Sequence, residues 1–455
     1  MPFRWNPAHH VLLARYILKW LVIAAVIAAF VGSAVAFFLW ALDRATAYRW
    51  DHPWLLYLLP VAGLVIGYLY HRFGKGIEAG NNLIVEQIHE PGGGVPARMA
   101  PFVLGGTLVT HLFGGSAGRE GTAVQMGGSI ASSVGRLLNM DAADTRRVLM
   151  AGIAAGFGAV FGTPITGAIF AMEVLAIGRM SYEGLIPCLI ASTLADFVCT
   201  RWRIVHTNYH LLLPEPKVAL DGLDALLFGK VLLAGAAFGL ASVIFAELTH
   251  GVQRLAKTFI AWPPLRPALG GALVIGLTLL LGTRSYLGLG VTSPDRTDVT
   301  IVTCFAVGGA TALSWWWKSL FTAVTVGSGF KGGEVTPLFF VGAALGNALS
   351  RLLAAPTDLF AALGFVGVFA GATNTPLACT IMGIELFGHS YAVYIATACF
   401  TAYVFSGHSG IYLSQRIGVP KVAQSGVEPD ASLRAAREQH PPVIRVNGVN
   451  DTMMD

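Results

Sequence analysis

Long apolar runs, separated by short polar or glycine-rich breaks, follow one another along most of the chain. The longest lie at 17–43, at 54–70, within 217–249, at 267–283 and at 298–326. Each approaches or exceeds the roughly 20 residues that a helix needs to cross a bilayer. The pattern therefore predicts an all-α integral membrane protein.

Other apolar segments are short and interrupted. They lie at 98–113, 120–138, 146–160 and 163–177, with Gly, Pro or charged residues between them. Segments of this kind are typical of transporters whose broken helices end inside the membrane. We therefore expect tilted and re-entrant helices, and not a simple row of spans.

An internal repeat divides the chain. The stretch TPITGAIFAME at 163–173 has a counterpart, TPLACTIMGIE, at 375–385. A looser pair is GGSAGREGT at 114–122 and GSGFKGGEVT at 327–336, in which a two-residue insertion aligns Glu120 with Glu334. Two repeats with breaks at corresponding positions indicate a transporter whose ion site lies between the halves.

The repeat and the charge pattern together give four predicted regions. Basic residues precede the first apolar run, so the N-terminus is expected in the cytoplasm, and no cleavable signal peptide is recognised. The polar C-terminal region is expected to be a mostly disordered cytoplasmic extension. The regions are a cytoplasmic segment at 1–16, a first membrane repeat at 17–210, a second at 211–418, and a polar cytoplasmic tail at 419–455.

The composition supports a membrane protein and excludes several other classes. The chain is 55% hydrophobic and 12% charged, whereas soluble domains carry about 25% charged residues. The net charge of +5 is explained by the flanks, so no nucleic-acid partner is expected. The five cysteines and 12 histidines show no metal-ligand spacing, and the glycine-rich stretches lack the phosphate-binding pattern. We expect no metal, no cofactor and no enzymatic activity.

The break at 114–121 is the first candidate for chemistry. Its glycines permit a sharp turn, and helix-compatible residues resume directly afterwards. A helix N-terminus inside a membrane favours an anion. Glu120 would lie where that anion binds, as a tethered carboxylate that can also carry a proton. The alternative is a purely structural pair of Arg119 and Glu120 at a helix end.

Two further breaks have the same character. At 332–337 a glycine pair precedes Thr336, whose hydroxyl would either contact an ion or only cap a helix. At 78–84 the side chain of Asn81 is placed to cap a helix and to donate a hydrogen bond to an anion.

Taken together, the three breaks resemble those of the CLC family of chloride channels and proton-coupled anion antiporters. GREGT at 118–122 is similar to the family's G(K/R)EGP, GEVTP at 333–337 to its GxFxP, and GNNLI at 80–84 stands in place of its GSGIP. The resemblance covers nearly the whole chain. It implies a CLC-type fold of two inverted-topology repeats, and a homodimer with one pathway per subunit. The residues that it places along the anion pathway are Asn81, Gly118, Arg119, Gly121, Val335 and Thr336.

The departures from the family pattern indicate a subtype. Asn81 stands where the family has a chloride-coordinating Ser, Thr122 replaces a Pro, and Val335 replaces a Phe. Val174 occupies the place of the second glutamate that relays protons in chloride exchangers, next to Glu173. These differences are similar to those of the fluoride-exporting CLC-F subtype.

The resemblance therefore implies a proton-coupled fluoride exporter of the bacterial inner membrane that confers fluoride resistance. Glu120 would be the gate and proton carrier, and the transported ions would be fluoride and protons. A tyrosine near the end of the last helix also lines the path in that subtype; we assign it to Tyr412, with Tyr403 as the second choice. The alternative function is a CLC-type chloride channel or chloride/proton exchanger.

Two sets of residues stay undecided at this stage. Phenylalanine ring edges would suit an anion, but Phe330, Phe339 and Phe340 are equally explained by packing. Glu173 and Glu385 recur at equivalent places in the two halves, which indicates either a structural role or a proton route.

Overall fold

The computed structural model describes residues 7–207, 209, 224–422, 428 and 430–439. The predicted border between the repeats and the start of the apolar run 217–249 lie outside these residues. The chain is mostly helical, as predicted, and two short strands, β1 (Ala176–Ile177) and β2 (Arg416–Ile417), pair in parallel. In order, the helices are α1 (Pro7–Asp51), α2 (Leu59–Phe73), α3 (Asn81–His89), α4 (Met99–Leu112), α5 (Glu120–Leu137), α6 (Ala142–Phe161), α7 (Pro164–Glu173), α8 (Leu185–Arg201), α9 (Ala225–Phe259), α10 (Leu265–Leu281), α11 (Ser314–Ser328), α12 (Val335–Leu352), α13 (Thr357–Thr373), α14 (Pro376–Phe387), α15 (Ala392–Phe405) and α16 (Leu433–Gln439).

Long and short helices alternate, which confirms the expectation of broken segments. In the described part of the chain, five helical stretches are long and apolar enough to cross a membrane, among them α1 and α9. Five other apolar helices, including α4, α13 and α14, have only 10–17 residues. Helices of that length end inside a bilayer of ordinary thickness, so their termini must find partners within the protein.

The two halves pack their helices in the same way, through glycine. A Cβ atom built on Gly127 of α5 would lie 2.1 Å from the carbonyl oxygen of Gly152 on α6. In the second half, a Cβ on Gly342 of α12 would lie 2.0 Å from the carbonyl oxygen of Gly364 on α13. No side chain fits at these crossings. Small residues therefore bring the helix backbones into contact, as in other membrane bundles.

Helices α7 and α14 hold each other's N-termini. The carboxylate of Glu173, at the end of α7, accepts hydrogen bonds from the backbone N–H groups of Leu377 and Ala378, at 3.1 and 2.7 Å. Glu385, near the end of α14, accepts from two backbone N–H groups at the start of α7 and, at 2.6 Å, from the Thr166 hydroxyl. Reciprocal contacts of this kind indicate a local two-fold relation between the repeats. They favour a structural role for both glutamates, because free N–H groups at a buried helix start need acceptors.

The sequence-based expectation for 298–326 is wrong in its first half. The helix begins only at Ser314, and the preceding residues are irregular apart from one 3-10 turn. The hydroxyls of Thr300 and Thr303 each accept a hydrogen bond from the other residue's backbone N–H. Gly308 then has a φ of +75°, which is outside the helical region. Local side-chain hydrogen bonds and glycine thus override the apolar composition.

The C-terminal region is also more ordered than expected. Helix α16 lies on the body of the protein, and Leu433 is fully buried in a small cluster with Ile177 and Ile417. Arg437 of α16 forms an ion pair with Glu247 of α9. The expectation of a mostly disordered tail is therefore wrong for residues 430–439.

The reciprocal caps generate a testable prediction. Glu385→Gln keeps the size of the side chain but removes its charge, and hydrogen bonds to charged groups are worth about 1.5–3 kcal/mol. We expect a loss of roughly 1–2 kcal/mol, seen as a lower melting temperature in detergent. Glu173→Gln should have a similar effect because the contacts are equivalent.

Glu183→Gln is the control, since Glu183 pairs with Arg146 at the surface and exposed pairs contribute little. Fluoride-driven proton movement should survive in all three variants. If Glu173→Gln or Glu385→Gln melted like the unmodified protein but lost proton movement, the proton-route interpretation would be correct instead.

Candidate functional site

Two glycine-rich loops, one from each half, meet in an antiparallel bridge. The backbone N–H of Gly118 donates to the carbonyl of Gly333 at 2.6 Å, and the N–H of Gly333 donates to the carbonyl of Gly118 at 2.7 Å. Gly118 precedes α5 and Gly333 precedes α12. The bridge therefore brings the N-termini of two membrane helices from different repeats together.

The carboxylate of Glu120 lies on the N-terminus of α12. Glu120 is the first residue of α5 and is only 1% exposed. Its carboxylate accepts hydrogen bonds from the backbone N–H of Thr336 at 3.0 Å, from the Thr336 hydroxyl at 2.6 Å and from the N–H of Arg119 at 3.1 Å. This is the position in which a free N–H group and the helix dipole would stabilise an anion. Glu120 thus takes the place of an anion.

The glycines of the first break leave room for these contacts. A Cβ atom on Gly118 would lie 3.0 Å from the Glu120 carboxylate and 3.0 Å from the backbone nitrogen of Thr336. A Cβ on Gly121 would lie 3.0 Å from the side-chain nitrogen of Asn81. Asn81 begins α3, and its side-chain oxygen is buried without a hydrogen-bond partner among the described residues. The structure thus brings together the predicted residues of all three breaks, and Val335 is buried beside Thr336.

The two tyrosines considered for the path lie in different surroundings. Tyr412 is buried, and its phenol lies close enough to Glu120 and Glu334 to interact electrostatically with both carboxylates. Tyr403 lies under the side-chain amine of Lys421, with the nitrogen 3.9 Å from the ring centroid, and its carbonyl accepts a hydrogen bond from the same amine. The geometry favours Tyr412 over Tyr403.

Glu334 is a second acid at this junction. It is the N-cap residue of α12, its side chain is partly buried, and no hydrogen bond holds its carboxylate within the described part of the chain. The sequence comparison of the two halves aligned it with Glu120 but assigned it no role. That alignment was the available signal.

A cavity of about 20 Å³ lies directly beside Glu120. A space of about 10–15 Å³ is enough for one water molecule, so this cavity holds a single small particle. Three phenylalanine rings form part of its wall, and two of them, Phe339 and Phe365, are stacked with centroids 3.9 Å apart. The lining residues are Arg119, Glu120, Phe161, His206, Thr207, Tyr209, Val291, Thr336, Phe339, Phe365 and Leu386.

The cavity separates the phenylalanines that the sequence left undecided. Phe339 is part of its wall. Phe340 instead faces the buried amine of Lys318, 5.4 Å from the ring centroid, and Phe330 packs against Gly63. Phe161 and Phe365 also line the cavity, but they come from distant helices and no sequence motif distinguishes them.

A wide cavity of about 750 Å³ adjoins the small one. The two share Arg119, Thr207 and Val291, so the wide cavity is a vestibule that leads to Glu120. It was not expected from the sequence, because much of its wall is the irregular segment before α11. Its charged lining residues are Asp43, Arg49, Arg119, Arg284, Asp295 and Asp298.

Other residues noted in the sequence lie away from the cavity. The Thr122 hydroxyl pairs with that of Thr107 at 2.7 Å. Val174 is buried, and its carbonyl accepts a hydrogen bond from Gln415. All five cysteines are free and buried, and the residues that the structure describes contain no His, Cys, Asp and Glu cluster able to hold a metal ion.

Comparisons with known proteins agree with this geometry. The family model described as "Voltage gated chloride channel" matches residues 62–407. The "Chloride/fluoride channel protein" of Pseudomonas syringae pv. tomato is 49% identical over 415 residues, which are 90% of this chain and 89% of that protein.

Solved structures are similar as well. A CLC-type fluoride/proton antiporter superimposes with a TM-score of 0.81 at 34% identity, covering 88% of this chain and 98% of the other. A slow cyanobacterial Cl⁻/H⁺ antiporter, at 19% identity, shares the fold with a TM-score of 0.68 over 85% of this chain and 94% of the other. With its paired glycine loops and its buried acid on a helix N-terminus, this multi-pass membrane protein belongs to the CLC family.

Proposed function

We propose that the protein is a fluoride/proton antiporter, which exports fluoride in exchange for protons and thereby confers fluoride resistance. The observation that carries this proposal is the Glu120 carboxylate on the N-terminus of α12, next to a cavity for one small particle. The names of the Pseudomonas relative and of the antiporter structure support the same ion pair.

The position of Glu120 couples the two ions. As a carboxylate it occupies the hydrogen-bond donors of Thr336. A proton removes its charge and therefore its attraction to the helix N-terminus. The donors of Thr336 then become available to an anion, and the departure of the anion allows the deprotonated carboxylate to return. Anion and proton occupancy thus depend on the same few atoms.

The size and lining of the cavity favour fluoride. Fluoride is close to water in size and strongly hydrated, so a buried site must supply hydrogen-bond donors at short range. The positive edges of Phe161, Phe339 and Phe365 add to this environment. Chloride is larger, and the chloride alternative would require the closely stacked rings of Phe339 and Phe365 to move apart.

Glu334 extends the proposal to the second half of the proton route. Val174 stands where chloride exchangers carry a relay glutamate, so a proton that leaves Glu120 needs another carrier. The Glu334 carboxylate lies near Tyr412, which also interacts with Glu120. We assign Glu334 the role of second proton carrier.

Two implications of the family resemblance remain predictions. The protein is expected to act as a homodimer with one pathway in each subunit, and to lie in the inner membrane of a bacterium. Cross-linking in native membranes is a direct measurement of the first.

The main test uses purified protein in liposomes, with fluoride and pH recorded together. A fluoride gradient should drive protons against their own gradient. Glu120→Gln should lower this proton movement to background, because an amide cannot exchange a proton. Exposed Glu78 provides the control, Glu78→Gln, which should behave like the unmodified protein. Chloride preference, or fluoride current without protons, would refute the proposal.

Thr336 permits an isosteric test of the anion site. Thr336→Val keeps the shape but removes the hydroxyl donor, and a hydrogen bond to a charged group is worth about 1.5–3 kcal/mol. We expect fluoride turnover to fall by roughly tenfold or more. Thr336→Ser keeps the hydroxyl and should remain within a few-fold of the unmodified protein. Equal turnover in both variants would show that the hydroxyl is only a structural cap.

Glu334 is tested by separating proton movement from fluoride binding. Glu334→Gln should abolish fluoride-driven proton movement, because the proton loses its second carrier. Fluoride affinity, measured by calorimetry in detergent, should change only a few-fold, because Glu120 and Thr336 are intact. Unchanged proton coupling would remove Glu334 from the route.

A further inference from the structure

Two buried nitrogen atoms beside the small cavity have no hydrogen-bond partner among the described residues. They are Nε of Arg119 and Nε2 of His206, and both side chains line the cavity next to Glu120. Buried polar groups are nearly always hydrogen-bonded, so each exception needs an explanation. Two such atoms at one cavity indicate that an unseen particle is their partner.

The position of His206 is fixed by the fold. It follows α8, and its ring lies over Gly162, the C-cap residue of α6, which has a φ of +71°. A Cβ atom on Gly162 would lie 2.6 Å from the imidazole ring. The neighbouring Thr207 lines both cavities. His206 therefore lies where the wide vestibule narrows to the single-particle cavity.

The charges around His206 favour an anion as that particle. Burial and the nearby Arg119 lower the pKa of His206 to about 4, so its imidazole is neutral at pH 7 and has one N–H to donate. The guanidinium of Arg119 supplies a positive charge, with Nε 3.6 Å from the Glu120 carboxylate. An anion in the cavity would be repelled by Glu120, and Arg119 offsets that repulsion.

We propose that His206 is an anion-binding residue, whose Nε2–H acts with Nε of Arg119 to hold one fluoride ion in the small cavity. The ion is held there while the Glu120 carboxylate occupies the N-terminus of α12. This inference rests on the proposed function for the identity of the ion. It adds a second position for fluoride, one step nearer to the vestibule than the donors of Thr336.

The test compares two substitutions that differ in their ability to donate. His206→Leu removes the donor, and His206→Gln keeps a side-chain N–H of similar reach. Fluoride is titrated into each purified protein in detergent at pH 7.5, by calorimetry. We expect about a tenfold or greater loss of affinity for His206→Leu and a change within a few-fold for His206→Gln. His71→Leu, at an exposed site on α2, should bind like the unmodified protein.

Melting curves without fluoride monitor folding of each variant. If His206→Leu does not fold, His206→Met, which has the length of Gln but no donor, replaces it in the same comparison. Equal fluoride affinity in the donor-free variant and the unmodified protein overturns the proposal.

Proton recording in liposomes separates the remaining outcomes. His206→Gln should keep the ratio of protons to fluoride of the unmodified protein. Loss of proton movement in His206→Gln, with unchanged fluoride affinity, would make His206 a proton carrier and overturn the proposal. If the unmodified protein binds fluoride through His206 but does not exchange it for protons, the proposed function fails while the binding assignment stands.

Discussion

The contact between the Glu120 carboxylate and the N-terminus of α12 is the interaction on which the rest of the site depends. Glu120 comes from the first half of the chain, and the N–H and hydroxyl that it meets belong to Thr336 in the second half. A charge with 1% exposure is tolerated only with close donors. The same donors suit a free anion, so the requirement that stabilises the fold also creates a binding site.

Close backbone approach makes this contact feasible. The bridge between Gly118 and Gly333 fixes the two loops relative to each other, and glycine crossings pack α5 on α6 and α12 on α13. The reciprocal caps of Glu173 and Glu385 join α7 and α14. The surroundings are therefore rigid, and the side chain of Glu120 is the small part that a proton can release.

The electrostatics of the path change along its length. The wide vestibule is lined by arginine and aspartate side chains, whereas the small cavity combines the guanidinium of Arg119 with phenylalanine rings. A hydrated ion can enter the first space, but only a nearly bare ion fits the second. Water must therefore be exchanged for protein donors at the narrowing, next to His206.

The sequence by itself determined the class of the protein and the places where its helices break. Apolar runs and glycine-rich breaks depend on local composition, so they predicted a helical membrane protein, its internal repeat, and Glu120, Thr336 and Asn81 as the polar residues of the breaks. Only the tertiary structure decided which of these groups meet. Phe161, Phe365 and His206 come from separate segments, and the irregular segment before α11 follows from hydroxyl hydrogen bonds that hydropathy does not register. The reason is physical: composition fixes where a segment is stable, whereas contacts between distant residues depend on how the helices pack.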